Sequence, residues 1–176
     1  VVTTLMARGA FPDGHDLCLG MPGMHGNFTA VTAMQEADLL VALGARFDDR
    51  VTGRVDGFAP GAQIVHVDID AAELGKVRRP DVAIQGDCRV AIEALVAALA
   101  VGGVGNADRT AWRSRISGWQ ERFPLTYEPS APGDRLKPQY VIEQLRDATP
   151  EDTIVTSGVG QPQMWASQYW NFEHPY

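Results

Sequence analysis

Short apolar runs alternate with segments of helical periodicity along the first hundred residues of the chain. Strands are predicted at Val1–Thr4, Leu39–Leu43, Ile64–Asp70 and Val82–Gln85. A helix is predicted at 28–37, and a second follows Asp87, where apolar residues recur at positions i, i+3, i+4 and i+7. Unbroken apolar strands that alternate with helices are typical of parallel sheets covered on both faces. The pattern therefore predicts a doubly wound α/β fold with a mostly parallel sheet.

The pattern is interrupted at Gly102–Asn106, a glycine-rich stretch without a core signal. Helices are then predicted around Trp112–Phe123 and from Pro138 onward, followed by a last strand at Thr153–Thr156. We therefore divide the chain into a first domain at 1–101, a linker with one helix at 102–137, and the beginning of a second α/β domain at 138–176. Val1 opens a predicted strand without an initiator methionine or a leader. We therefore expect an internal piece of a longer protein, whose first domain lacks its opening strands.

Composition narrows the range of partners. A net charge of −7 argues against a nucleic-acid partner, because phosphate backbones are bound by clustered lysines and arginines. No apolar run approaches the ~20 residues that a membrane helix needs, so no membrane partner is expected. The two cysteines and four scattered histidines provide neither a disulfide framework nor metal-ligand spacing. We expect a reduced, cytoplasmic protein without a metal site in this chain.

Two loops are suited to bind the phosphates of a nucleotide. The segment Gly20–Gly26 precedes a predicted helix, and its glycines let backbone N–H groups approach an anion, although a purely structural turn explains the same residues. The segment Gly44–Gly53 follows a predicted strand, and its Arg46 and Arg50 suit a pyrophosphate. Alternatively, these arginines only pair with neighbouring aspartates on the surface, which contributes at most ~1 kcal/mol.

Two further strand ends carry acidic residues. Asp68 and Asp70 end the third predicted strand, and we expect one of them to accept hydrogen bonds from a ribose while the other caps the following turn. Gly86 and Asp87 end the fourth strand, where Asp87 is predicted to cap the next helix, with an adenosine contact as a second role. These loops predict a cofactor with a pyrophosphate. They lack the G-x-G-x-x-G fingerprint and do not name the cofactor.

Three motifs resemble the catalytic subunits of acetohydroxyacid synthases, also called acetolactate synthases. They are Pro22–Gly26, Gly44–Gly53, and Gly158–Gln161 with Gln163–Trp165. The resemblance runs in order across essentially the whole chain. It implies a fragment of a transferase that uses thiamine diphosphate and Mg²⁺ to decarboxylate pyruvate and join it to a second 2-ketoacid, pyruvate or 2-ketobutyrate, in valine and isoleucine biosynthesis. Members of the family also bind FAD, without a net redox change.

The resemblance also implies a set of site residues. The first domain corresponds to the family's DHS-like FAD/NAD-binding middle domain, and the last segment to the start of its thiamine-diphosphate domain. The implied FAD contacts are Thr4, Leu5, Gly23, Met24, His25, Gly44, Arg46, Asp48, Arg50, Val51, Asp68, Ile69, Gly86 and Asp87. The implied thiamine-diphosphate contacts are Val159, Gly160 and Gln161, and the residues at the mouth of the active site are Met24, Asp49 and Arg50. The family's activating glutamate and its magnesium motif match no part of this chain, so we expect the chain alone to be inactive.

One position departs from the family pattern. The family usually has a histidine after the glutamine that matches Gln161. This chain has Pro162, which supplies neither an imidazole nor a backbone N–H to a diphosphate. The resemblance further implies a homo-oligomer, with a regulatory small subunit as a candidate partner. Two other functions stay open: another flavin-bearing thiamine-diphosphate enzyme, such as glyoxylate carboligase or pyruvate oxidase, and a stand-alone, non-catalytic nucleotide-binding module.

Overall fold

The computed structural model describes residues 1–102 and 107–175. The chain forms two compact units, one made of Val1–Val31 with Trp119–Tyr176 and the other of Thr32–Gly118. We call these the terminal unit and the sheet unit. Most of the predicted break, at 103–106, lies outside the described residues, as does Tyr176. The domain boundaries predicted after 101 and 137 stay a prediction.

A three-stranded parallel sheet organises the sheet unit. Its strands are β1 (Leu39–Leu43), β2 (Gln63–Asp68) and β3 (Val82–Gln85), which lie in that order. Both neighbours of the central strand β2 run parallel to it, and its Ile64 and Val67 are fully buried. The predicted α/β class with a parallel sheet is therefore confirmed.

The bounds of two predicted strands are reproduced and a third is shortened. The strands at 39–43 and 82–85 have the predicted limits. The strand predicted at 64–70 ends at Asp68, because the Asp68 carboxylate accepts a hydrogen bond of 2.9 Å from the Asp70 N–H and turns the chain there.

Two other predicted strands do not form. Val1–Thr4 is extended, but it pairs with a loop, since the Leu19 N–H donates to the Val1 carbonyl and the Thr3 N–H donates to the Gly20 carbonyl. Thr153–Thr156 is irregular, and its Ile154 is 73% exposed. Branched side chains favour strands where they pack on a half-buried pleated surface, and Thr153–Thr156 is not part of such a surface.

The helices follow the predicted order, with additions. They are α1 (Phe28–Gln35), α2 (Asp49–Thr52), α3 (Cys88–Val101), α4 (Thr110–Arg122), α5 (Pro138–Asp147) and α6 (Gln161–Tyr169), with short 3-10 helices at Leu5–Ala7 and Val55–Gly57. α1, α3, α4 and α5 were predicted, and α2 and α6 were not. Within the described part of the chain, no helix has the length and apolar character needed to cross a bilayer.

Asp87 caps α3 as predicted. Its carboxylate accepts hydrogen bonds from the backbone N–H groups of Arg89, at 2.9 Å, and Val90, at 3.2 Å. Replacing Asp87 by alanine should lower the free energy of unfolding by about 1 kcal/mol, whereas Asp87→Asn should retain most of it, because asparagine caps equally well. Urea unfolding of both variants measures the difference. An equal loss in the two would contradict the cap as its cause.

A buried ion pair organises the terminal unit. The guanidinium of Arg8 bonds to the carboxylate of Asp13, and the two side chains are 6% and 9% exposed. The same guanidinium donates to the Thr3 hydroxyl at 2.7 Å, and the Phe172 N–H donates to Asp13 Oδ2 at 2.7 Å. The pair therefore connects the beginning of the chain with its final segment.

Candidate functional site

The loops that follow the three strands leave the same edge of the sheet. The Gly44 N–H donates to the Val67 carbonyl at 2.8 Å, and the Gly86 N–H donates to the Asp68 carbonyl at 2.9 Å. The carboxyl edge of a parallel sheet is where such folds bind ligands. Of the predicted site residues, this edge brings together Gly44, Asp68, Ile69, Gly86 and Asp87.

Phe47 anchors the loop Gly44–Gly53, which we call the arginine loop. Its ring is buried and packs edge-on against His66, with centroids 5.0 Å apart, and against Phe58, at 6.1 Å. Its backbone lies in the left-handed region, with φ 57°, which is costly for a bulky residue and persists only where packing enforces it. Sequence reasoning missed both Phe47 and His66. The available signal was an aromatic residue within a charged loop.

The charged residues of the arginine loop remain at the surface. Arg46 lies 3.4 Å from Asp48 and Arg50 lies 3.3 Å from Asp49, and the arginine side chains are 71% and 72% exposed. Asp48 also caps α2 by accepting from the Arg50 N–H at 2.9 Å, and Val51 lies within that helix. The surface pairing considered above is therefore present. Exposed pairs of this kind contribute little and leave guanidinium donors free for an anion.

Acidic groups surround the start of α3. Burial, and then the nearby carboxylates of Asp68 and Asp87, raise the pKa of the Cys88 thiol, so that it stays protonated at neutral pH. A Cβ added to Gly44 would lie 3.4 Å from the Cys88 sulfur. Gly44, Asp68 and Asp87 thus all lie near Cys88. Glycine and carboxylates at the strand ends, with guanidinium donors on the arginine loop, fit the ribose and the diphosphate of a nucleotide.

Asp68 and Asp70 share one role. Asp68 accepts from the Asp70 N–H, and Asp70 accepts from the Ala72 N–H, both at 2.9 Å, so each aspartate caps a turn. Asp68 is buried and Asp70 is exposed. Turn capping alone therefore does not separate the two, and the assignment of Asp68 to a ligand stays a prediction.

The terminal unit holds the other predicted FAD residues. The glycine segment Gly20–Gly26 is a tight turn in which a Cβ added to Gly26 would lie 2.3 Å from the Met21 carbonyl oxygen, so only glycine fits. The turn leaves Met24, 63% exposed, and His25 at the surface. The hydrogen bond from the Thr3 N–H to the Gly20 carbonyl places the start of the chain beside this turn. Of the remaining predicted residues, Thr4 and Leu5 directly follow Thr3, and Gly23 lies within the turn.

The predicted thiamine-diphosphate residues lie at the start of α6. Val159 is 95% exposed, Gly160 has φ 121°, and Gln161 is the first helical residue. No side chain in the described part of the chain caps this helix, so its first N–H groups can receive an anion, although Pro162, in the first turn, provides none. The residues present therefore fit a diphosphate with one donor fewer.

A cavity of about 380 Å³ in the terminal unit is lined by Gly20 of the predicted glycine segment, but by none of the residues implied to contact FAD or thiamine diphosphate. Arg8, Asp13, Glu143 and Tyr169 are among the residues that line it. Nearby, the Tyr127 hydroxyl donates to Glu143, and this bond raises the pKa of Tyr127 to about 12. Within residues 1–102 and 107–175, no three His, Cys, Asp or Glu side chains are grouped as a metal site requires.

Comparison with known proteins identifies the family. Residues 1–95 match the family described as "Thiamine pyrophosphate enzyme, central domain". The chain is 52% identical to an acetolactate synthase of Mycobacterium leprae, 50% to an acetolactate synthase large subunit of Corynebacterium glutamicum, and 47% to a protein named probable acetolactate synthase 2, chloroplastic, of Oryza sativa. Each match covers 99% of this chain, which spans 28%, 28% and 27% of those relatives. The family match covers more than half of the chain, which therefore belongs to the thiamine pyrophosphate enzymes through their central domain.

Proposed function

We propose that the chain is the FAD-binding part of an acetolactate synthase, which condenses pyruvate with a second 2-ketoacid, pyruvate or 2-ketobutyrate, with loss of CO₂. The observation that carries this proposal is the carboxyl edge of the sheet. There, the arginine loop that follows β1 lies at the same edge as the ends of β2 and β3, which carry Asp68, Gly86 and Asp87. The chain is also about half identical to bacterial proteins named acetolactate synthase.

In this proposal the residues of the sheet unit bind and orient FAD. Arg46 and Arg50 hold the diphosphate, the absent side chain of Gly44 lets it approach the backbone, and Asp68 accepts hydrogen bonds from a ribose. Asp87 contributes a carboxylate at the start of α3, beside the protonated Cys88. These residues position a cofactor, and none of them is assigned a bond-making step.

The start of α6, in the terminal unit, is proposed to serve the second cofactor. The first turn of α6, with Val159, Gly160 and Gln161, receives the diphosphate of thiamine diphosphate, which supplies the electron sink for decarboxylation when bound. Met24, in the same unit, has an exposed side chain and is proposed to contact the 2-ketoacid. The same role is proposed separately for the exposed Asp49 and Arg50 of the sheet unit. The Mg²⁺ of the enzyme is proposed to be held outside this chain, and we expect the chain alone to be inactive.

A titration of the purified chain with FAD tests the proposal. We expect saturable binding, followed as quenching of flavin fluorescence, and no saturable binding of NAD, the control dinucleotide. A chain that is folded by circular dichroism and binds neither dinucleotide, or both equally, would contradict the FAD assignment. No specific observation favours the alternative functions, which are glyoxylate carboligase, pyruvate oxidase and a stand-alone nucleotide-binding module.

Self-association is proposed as well. β1 lies at an edge of the sheet, and Leu39, Val41 and Leu43 on one of its faces are 50%, 48% and 41% exposed. Free strand edges and apolar rows promote pairing between chains. We expect light scattering to show dimers or larger species of the 19.1 kDa chain, and a strictly monomeric chain at micromolar concentration would contradict this. The proposal also includes a regulatory small subunit as a partner and a cytoplasmic location. Cys18 and Cys88 are both reduced thiols that form no disulfide.

A further inference from the structure

His66, in the central strand next to the candidate site, is a buried polar side chain without a hydrogen-bond partner. It has no exposed surface, and among the described residues neither Nδ1 nor Nε2 has a partner. Its neighbours Ile64 and Val67 are fully buried apolar residues, and the ring of Phe47 meets it at 84°. A neutral imidazole carries one N–H donor, and burying a donor without an acceptor is costly. The position therefore retains a polar group where an apolar one would cost less.

The carboxylate of Asp68 lies close to this imidazole. Nε2 of His66 and Oδ2 of Asp68 are 3.9 Å apart. The two residues are two positions apart on one strand, so their side chains point to the same face of the sheet. The separation exceeds an N–H···O hydrogen bond by about 1 Å, which a small rotation of either side chain removes.

Asp68 has one oxygen engaged and one available. Its Oδ1 accepts the Asp70 N–H at 2.9 Å, whereas Oδ2 is the oxygen nearer to His66. The carboxylate is almost fully buried, and it lies close enough to the protonated thiol of Cys88 to interact with it. A donor from His66 is therefore suited to orient Oδ2.

We propose that His66 is a positioning residue for Asp68. Its Nε2–H donates to Oδ2, and this bond directs the carboxylate toward a ribose hydroxyl at the carboxyl edge of the sheet. His66 is too deeply buried to touch the ligand, so it acts through Asp68. The inference rests on the proposed function, which assigns Asp68 to a ribose of FAD.

Two amide substitutions distinguish the ring nitrogens. Glutamine at position 66 places an N–H donor close to the position of Nε2, whereas asparagine places it close to that of Nδ1. We expect His66→Gln to bind FAD within threefold of the unmodified chain and His66→Asn to bind about tenfold more weakly. In an Asp68→Asn background the two should not differ. The exposed His174, changed in the same two ways, is the matched control. Equal affinities of folded His66→Gln and His66→Asn chains would overturn the proposal.

A second measurement requires neither FAD nor a substitution at His66. Nitrogen-15 NMR of the imidazoles should show His66 as the Nε2–H tautomer, with an Nε2 shift that changes in Asp68→Asn. An Nδ1–H tautomer, or no response to Asp68→Asn, would overturn the positioning role. If the chain fails to bind FAD but shows the Nε2–H tautomer coupled to Asp68, the proposed function fails and the pairing of His66 with Asp68 stands.

Discussion

Replacing Arg46 and Arg50 together by alanine should weaken FAD binding at least a hundredfold while leaving the fold intact. Hydrogen bonds to charged groups contribute about 1.5–3 kcal/mol each, so losing one from each arginine amounts to about 3–6 kcal/mol. The pairs of these arginines with Asp48 and Asp49 are largely exposed, and such pairs contribute about 0–1 kcal/mol to stability. Flavin titration measures the affinity, and urea unfolding checks the fold.

The matched control is Arg54→Ala with Arg109→Ala. Arg54 is an exposed arginine paired with Asp56 at 2.8 Å, and Arg109 is an exposed arginine that donates to the Ala107 carbonyl at 3.3 Å. This control removes two positive charges, as the Arg46→Ala with Arg50→Ala variant does, so it measures the effect of net charge alone on FAD binding. An affinity loss as large in the control as in the test variant would show that charge, and not position in the arginine loop, holds the diphosphate. Unchanged FAD affinity in the test variant would remove the arginine loop from the site.

Replacing Arg8 by alanine should destabilise the chain by about 3–5 kcal/mol, because it leaves the Asp13 carboxylate buried without its counter-ion. The change also removes the hydrogen bond to Thr3 and the packing of the guanidinium over the Phe172 ring, 5.5 Å from its centroid. Urea unfolding followed by tryptophan fluorescence measures the loss.

A double variant isolates the cause of that loss. Arg8→Leu with Asp13→Asn removes both charges and keeps an oxygen that can accept the Phe172 N–H. We expect it to be more stable than Arg8→Ala, since replacing a buried ion pair with neutral groups costs less than breaking it. A double variant less stable than Arg8→Ala would assign the effect to packing and not to an uncompensated charge.

The elements that could be predicted are those that a short stretch of sequence specifies without contacts to distant residues. β1 and β3 are short apolar runs that end at glycine, and α3 combines a capping aspartate with an apolar periodicity. The strands predicted at Val1–Thr4 and Thr153–Thr156 depend on a partner strand, which composition does not reveal. α6 was missed because its apolar residues are few, although a proline in the first turn, here Pro162, is typical of a helix start.

The candidate site was predictable only in part. Strand ends with glycine, arginine and aspartate indicate a nucleotide, and the hydrogen bonds of Gly44 and Gly86 place those strand ends at one edge of the sheet. The residue-by-residue assignment came from the family resemblance and stays a prediction. His66 was not recognisable as a site residue, because a histidine within an apolar strand has no local signal, and its isolation depends on neighbours such as Phe47.

The two bonds that tie Gly44 and Gly86 to β2 have a mechanical consequence. Their acceptors, the carbonyls of Val67 and Asp68, belong to consecutive residues of one strand. A shift of that strand is therefore transmitted to the loops on both sides of it, and neither loop can be displaced without straining or breaking its bond to β2. Deuterium exchange at these two amides reports directly on how often this edge of the sheet opens.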